Sequence, residues 1–229
     1  KLAVRKYENG QWVQIGPETV SDIDAYRMAI HVHQGVPYVA FAEYPLSENG
    51  GVTVLKYEAD EDRWVRLGPR TFFQASSRAL GISLIRLAVD NGNLYVAVHD
   101  AQSATDNKTY VLKYNPAIDD WEELGGNEPL DSSLLYSRGL DMQVVDGVVY
   151  VSRKYSPVNQ PKYLLVNKFD DTVADGRWQD VTGFQPAWQV SNDSGFFGTI
   201  IHQQMPYLAH LNFYGQTLVF AGDQNWQQL

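Results

Sequence analysis

The chain has 229 residues, of which 44% are hydrophobic and 20% charged, a globular balance that excludes wholesale disorder. A chain of this length buries roughly 70–75% of its unfolded surface and needs neither disulfide nor metal for stability. Eighteen Lys plus Arg against 27 Asp plus Glu give a net charge of −9, which excludes nucleic acid as a principal partner, and the absence of cysteine excludes a disulfide framework, a thiolate metal site and a cysteine nucleophile.

No apolar run reaches 18 residues, so no transmembrane helix and no membrane insertion are expected. The first residues, Lys1-Leu2-Ala3-Val4, read as a strand rather than a signal peptide. Val4-Arg5-Lys6-Tyr7, the turn Glu8-Asn9-Gly10 and Trp12-Val13-Gln14-Ile15-Gly16 then predict a two-stranded hairpin.

A different hairpin follows. Met28, Ile30 and Val32 alternate along one strand, Gly35-Val36-Pro37 turns the chain, and Tyr38-Val39-Ala40 opens the return strand. Such period-2 alternation belongs to strands and predicts that these three apolar residues face the core. Val54-Leu55-Lys56-Tyr57 and Trp64-Val65-Arg66-Leu67-Gly68 then repeat the first hairpin.

The same order returns three times. Ile85, Leu87 and Val89 precede Asn91-Gly92-Asn93, Tyr95-Val96-Ala97, Val111-Leu112-Lys113-Tyr114 and Trp121-Glu122-Glu123-Leu124-Gly125. Leu140, Met142 and Val144 precede Asp146-Gly147, Tyr150-Val151-Ser152, Val166-Asn167-Lys168-Phe169 and Trp178-Gln179-Asp180-Val181. Phe197, Thr199 and Ile201 precede Gln204-Met205-Pro206, Tyr207-Leu208-Ala209, Leu218-Val219-Phe220 and Trp226-Gln227-Gln228-Leu229. The tryptophans at 12, 64, 121, 178 and 226 are 52, 57, 57 and 48 residues apart. A four-stranded meander recurring at that period is a propeller blade.

The expected fold is therefore all-β: a β-propeller of four-stranded antiparallel blades, with four complete blades and one outer half-blade. That is about five blades, or part of a larger ring. One domain spans 1–229, in units of about 1–16 (the half-blade), 17–68, 69–125, 126–183 and 184–229. Five outer hairpins against four inner ones leave the first blade without its inner pair. Further propeller sequence is the preferred completion, ahead of an open ring or a partner strand.

Asp146-Gly147-Val148-Val149-Tyr150-Val151 and the run from Lys113 to Trp121 resemble kelch-like β-propeller repeats of divergent secreted or cell-surface type. The resemblance implies the blade and an extracellular or cell-surface location. Kelch repeats carry paired glycines after the second strand, whereas this chain has Phe41-Ala42, Val98-His99, Arg153-Lys154 and His210-Leu211 there. The sialidase-type Asp-box is absent.

Candidate ligand-binding residues come from two places. The connections between blades carry Tyr26, Arg27, Phe72, Phe73, Arg78, Tyr136, Arg138, Trp188, Phe196 and Phe197, aromatic and arginine side chains of the kind that anchor ligands. Packing over the blade ends is the competing reading. Equivalent positions of the inner strands hold Ala29, Arg86, Asp141 and Gly198, where Arg86 and Asp141 either line a polar channel or form a compensating ion pair, the preferred reading. His31, His33 and His202 do not assemble the three or four ligands a zinc ion needs, so no metal and no cofactor are expected.

The expected function is a non-catalytic recognition module that binds a protein or glycan through the loops of one propeller face. The alternative is a carbohydrate-active hydrolase with paired carboxylates in the axial cleft, drawn from Asp22, Asp24, Glu43, Asp90, Asp100 and Asp141.

Overall fold

The structure, a computed structural model, describes residues 1–44, 51–75, 81–101, 107–126, 130, 139–155, 162–173, 176–181, 189–190, 197–211, 217–221 and 227–228. The first hairpin pairs β1 (Arg5–Glu8) with β2 (Gln11–Gln14) in a two-stranded sheet. Four four-stranded meanders follow. The first consists of β3 (Asp24–His33), β4 (Val36–Tyr44), β5 (Gly51–Glu58) and β6 (Arg63–Arg66), with the short β7 (Phe73–Gln74) against the start of β5. The second consists of β8 (Gly81–Asp90), β9 (Asn93–Ala101), β10 (Asn107–Asn115) and β11 (Asp120–Glu123). The third consists of β12 (Leu140–Val145), β13 (Val148–Tyr155), β14 (Lys162–Asp170) and β15 (Gln179–Asp180), with β16 (Gln189–Val190) against β14. The fourth consists of β17 (Phe197–His202), β18 (Met205–Leu211), β19 (Thr217–Ala221) and β20 (Gln227–Gln228). All pairings are antiparallel, and the innermost strands β3, β8, β12 and β17 stand beside one another in that order. The fold is the expected β-propeller.

Turn chemistry sets the registers. Asn9-Gly10, Asn91-Gly92 and Asp146-Gly147 carry two consecutive positive φ angles, the type I′ geometry that matches strand twist. Gln34-Gly35 does the same with a less usual first residue, and Gln203-Gln204 manages it without any glycine. Each turn fixes which side chains oppose: Ala29 meets Ala40, Arg86 meets Ala97, Asp141 meets Ser152 and Gly198 meets Ala209. The four positions are equivalent, as the repeat requires.

The core lies between blades. Ala40, Val52 and Val54 of the first meander pack on Ile85, Leu87, Val89 and Val96 of the second. Ala97 and Val111 of the second pack on Leu140, Met142, Val149 and Val151 of the third. In the first layer of this kind, Leu2, Val4 and Ile15 cover Val39, Phe41 and Leu55. The hairpin reaches no further inward. Met28, Ile30 and Val32, expected in the core, are instead 56%, 59% and 59% exposed, whereas their equivalents Ile85 and Leu140 are 2% exposed. Their alternation is intact; among the described residues no inner hairpin stands beside β3 to cover it.

The tryptophan landmark is a latch between blades. The Trp64 indole N–H donates to the Ile15 carbonyl at 3.2 Å, Trp121 to Leu67 at 2.9 Å and Trp178 to Leu124 at 3.0 Å. The glycine following each acceptor has positive φ (Gly16 +72°, Gly68 +79°, Gly125 +85°), and a Cβ there would lie 2.6–2.7 Å from the indole. Asp62 and Asp119 strengthen two of these joints, accepting from the Gly16 and Gly68 N–H groups at 2.9 Å while Tyr57 and Tyr114 donate to the same carboxyl oxygens. These hydrogen bonds hold both carboxyls below the usual range. Burial and the bond to Asp119 push the Tyr114 phenol up to about 12. A sequence motif of five residues is thus one half of a joint whose other half lies some 50 residues away.

Candidate functional site

The innermost strands place Arg86 on β8 and Asp141 on β12, one blade apart. Their side chains approach to 3.7 Å (Arg86 Nε to Asp141 Oδ1) and are 39% and 19% exposed. Asp141 also accepts the Thr199 backbone N–H at 2.8 Å, so its carboxyl bridges the second, third and fourth blades. Burial raises its pKa against the opposing effects of the Thr199 N–H and Arg86. At 3.7 Å, with the guanidinium partly in solvent, the pair is weaker than a buried bidentate one. The carboxyl is held but reachable. Ala29 and Gly198, at the equivalent positions, add no polar group to this ring.

The entry end of β3 and the exit end of β4 gather a second group. Glu43 is buried, accepting from Thr53 Oγ1 at 2.7 Å and binding Arg70 at 2.8 Å, with Asp22 close enough to favour the guanidinium charge. Arg27 is exposed at a bulge in β3, with φ of 46°. Tyr26 packs instead against the layer between the first two blades. Phe72 stacks on Trp121 at 4.5 Å and Phe73 meets Tyr110 at 4.9 Å, so both are packing residues. Arg78, Tyr136, Arg138, Trp188 and Phe196 lie outside the described residues, and Phe197 is described only in its backbone, as the first residue of β17.

The same ends of β9 and β13 hold the candidate carboxylate Asp100 and three polar residues that sequence reasoning did not select, His99, Arg153 and Lys154. His99, Asp100, Arg153 and Lys154 are each no more than 4% exposed. His99 Nδ1 lies 3.0 Å from Thr109 Oγ1, and Arg153 reaches the Asn167 side chain and the Leu130 carbonyl. Burial, with Arg153 nearby, pushes the His99 pKa down to about 4, which leaves the ring neutral. The signal was present: His99, Arg153 and Lys154 stand where kelch-like repeats carry glycines, and charged residues at the buried end of a strand need a reason.

The remaining candidate carboxylates divide by location. Asp90 lies at the opposite end of the inner strands, accepting the Gly147 N–H of the next blade at 2.9 Å. Asp24 is exposed and pairs with the N-terminal ammonium of Lys1. Clefts of about 600 and 370 Å³ open near Asp171 on the outer strands of the second and third blades, away from Asp141. There Lys113 and Tyr95 both donate to Asp171, at 2.6 and 2.8 Å, so Lys113 serves a joint between blades. No cluster of three metal-ligating side chains occurs among the described residues.

No protein-family model matches the chain and no curated protein sequence is similar to it. Solved structures are similar in fold. An endo-arabinase from Bacteroides thetaiotaomicron matches at 13% identity, over 100% of this chain and 84% of its own, with a TM-score of 0.52. An alpha-L-arabinanase from Penicillium chrysogenum, complexed with arabinobiose, matches at 9% identity, over 94% of this chain and 69% of its own, with a TM-score of 0.57. A family 117 glycoside hydrolase from the marine bacterium Zobellia galactanivorans matches at 9% identity, over 89% and 68%, with a TM-score of 0.53. Identities this low define the fold alone. They correct two expectations. The blade resembles kelch repeats, but the similar propellers are glycoside hydrolases. The expectation of a non-catalytic recognition module is corrected on the same finding, since the propellers of similar fold are glycoside hydrolases.

Proposed function

We propose that this propeller is a carbohydrate-active hydrolase whose cleft opens at the entry end of the innermost strands. The observation that carries the reading is Asp141: a carboxyl on an innermost strand, raised by burial, still partly exposed and fixed by the Thr199 N–H and Arg86. A carboxyl with a raised pKa is suited to protonate the leaving oxygen of a glycosidic bond. The second carboxyl, which activates water or attacks the sugar, belongs to the group at the same end of the first complete blade: Asp22, Asp24 or Glu43. Glu43 already serves Thr53 and Arg70, which favours the two aspartates. Arg27, exposed at its bulge, supplies a donor for sugar hydroxyls. Arabinose-containing polysaccharides are the first substrates to try, because two of the similar propellers act on them, and an extracellular location fits that class.

The test is hydrolysis of a panel of polysaccharides and chromogenic glycosides, arabinans included, by the natural protein and by Asp141→Asn. The expected outcome is cleavage of at least one member, lowered at least about 100-fold in Asp141→Asn, with the thermal transition kept within a few degrees. Cleavage of none, or equal cleavage by both proteins, overturns the proposal.

A further inference from the structure

Two of the three tryptophan joints carry a side-chain network that the third lacks. Asp62 accepts from the Gly16 N–H and from Tyr57, and Asp119 from the Gly68 N–H and from Tyr114. Each aspartate stands two residues before its tryptophan. Two residues before Trp178 the chain has Gly176 instead. The ring beside Trp178 is Phe169, without a hydroxyl, where Tyr57 and Tyr114 flank Trp64 and Trp121. Among the described residues no carboxyl accepts from the Gly125 N–H, and Gly125 is exposed whereas Gly68 is buried.

The cleft of about 600 Å³ opens at this third joint, lined by Glu123, Gly125, Asp171 and Arg177. The cleft of about 370 Å³ shares Glu123, Leu124 and Asp171 with it and adds Asn93, so the two form one groove along the rim. Its polar groups are not consumed by the fold. The side chains of Glu123, Asn93 and Arg177 make no hydrogen bond or ion pair among the described residues. Burial raises the Glu123 carboxyl, with no opposing partner. Lys113 and Tyr95 both use Oδ2 of Asp171, which leaves Oδ1 as an acceptor.

We propose that this groove is a second saccharide site, away from Asp141, that holds an uncharged oligosaccharide across the rim of the second and third blades. The inference takes the carbohydrate class from the proposed function and nothing from the chemistry at Asp141. A ligand here must accept from the Gly125 N–H and Arg177 while donating to Glu123 and Asp171. A hydroxyl does both. A bare anion meets the two carboxylates, and a bare cation meets Arg177 and Lys113. Neighbouring hydroxyls on a sugar ring supply the mixture, and Val173, 52% exposed at the edge, offers apolar surface to the C–H face of the ring.

The test is amide hydrogen exchange of Asp141→Asn protein with neutral oligosaccharides of arabinose, xylose and glucose, so that nothing is cleaved during the measurement. With at least one of them the Gly125 amide is expected to exchange at least about 10-fold more slowly, while the Gly16 and Gly68 amides, already bonded to Asp62 and Asp119, do not change. The slowing disappears when Glu123→Ala and Arg177→Ala are added, with the thermal transition kept within a few degrees. No slowing with any of the three sugars overturns the proposal, as does slowing that survives both substitutions. Slowing by acetate or glucuronate and by no neutral sugar also overturns it, in favour of a carboxylate site. Protection at Gly125 in a protein that hydrolyses nothing keeps this site and removes the hydrolase. Cleavage that depends on Asp141, without protection at Gly125, does the reverse.

Discussion

His99 shows how a single side chain couples the blade to pH. The ring is buried on β9, with Thr109 at 3.0 Å and the Arg153 guanidinium nearby, and its pKa falls to about 4. In the unfolded chain the same imidazole titrates near 6.5. The unfolded state therefore takes up a proton as pH drops through 6.5, and the folded state does not until about pH 4. Stability is unaffected above that window and declines across it, by up to roughly 3 kcal/mol at its acid end. Urea midpoints measured from pH 7 to pH 4.5 should fall for the natural residue and fall less for His99→Leu. Equal slopes for the two would mean that the buried ring does not control acid sensitivity.

At the scale of elements, the joints between blades are as informative as the strands. Gly68 shows the requirement most clearly, with φ of +79° and the Trp121 indole 2.7 Å from where a Cβ would stand. Gly92 shares that φ but sits in a turn with nothing within 4 Å. Gly92→Ala should cost only the left-handed conformation, about 1–2 kcal/mol. Gly68→Ala adds the displaced indole and its hydrogen bond to Leu67, roughly 1–3 kcal/mol more. Chemical denaturation of both variants gives the latch energy as their difference, and a difference near zero would remove the latch from the account. The repeats, the strand order and the type I′ turns were legible because each follows from a local rule: period-2 alternation, Asn-Gly and Asp-Gly pairs, and a spaced tryptophan. The exposure of Met28, Ile30 and Val32 was not legible, because a period shows which face is apolar and not whether anything covers it. The Arg86–Asp141 pair was legible from equivalent positions on adjacent blades. His99, Arg153 and Lys154 were passed over because each looks like an ordinary polar strand position until its burial is known. The proposed hydrolase site was hidden by the same limit, since Asp141 stands in no short motif and is held by groups on the two neighbouring blades.

For the whole molecule, the latch has a mechanical consequence. Trp64, Trp121 and Trp178 each grip the blade before them in sequence, so these bonds between blades run along the chain from one unit to the next. Repeat arrays with only nearest-neighbour contacts come apart one unit at a time. Trp64 and Trp121 are 57 residues apart, so freeing one unit releases about 190 Å of extended chain. Pulled by its two ends in an optical trap, the 229-residue chain should therefore lengthen in a short ladder of steps near that size, less the width of the folded blade. A single rip spanning the whole contour would show that the blades share one cooperative unit. Severing one rung, with Trp121→Phe, should lower the force of one step and leave the others where they were.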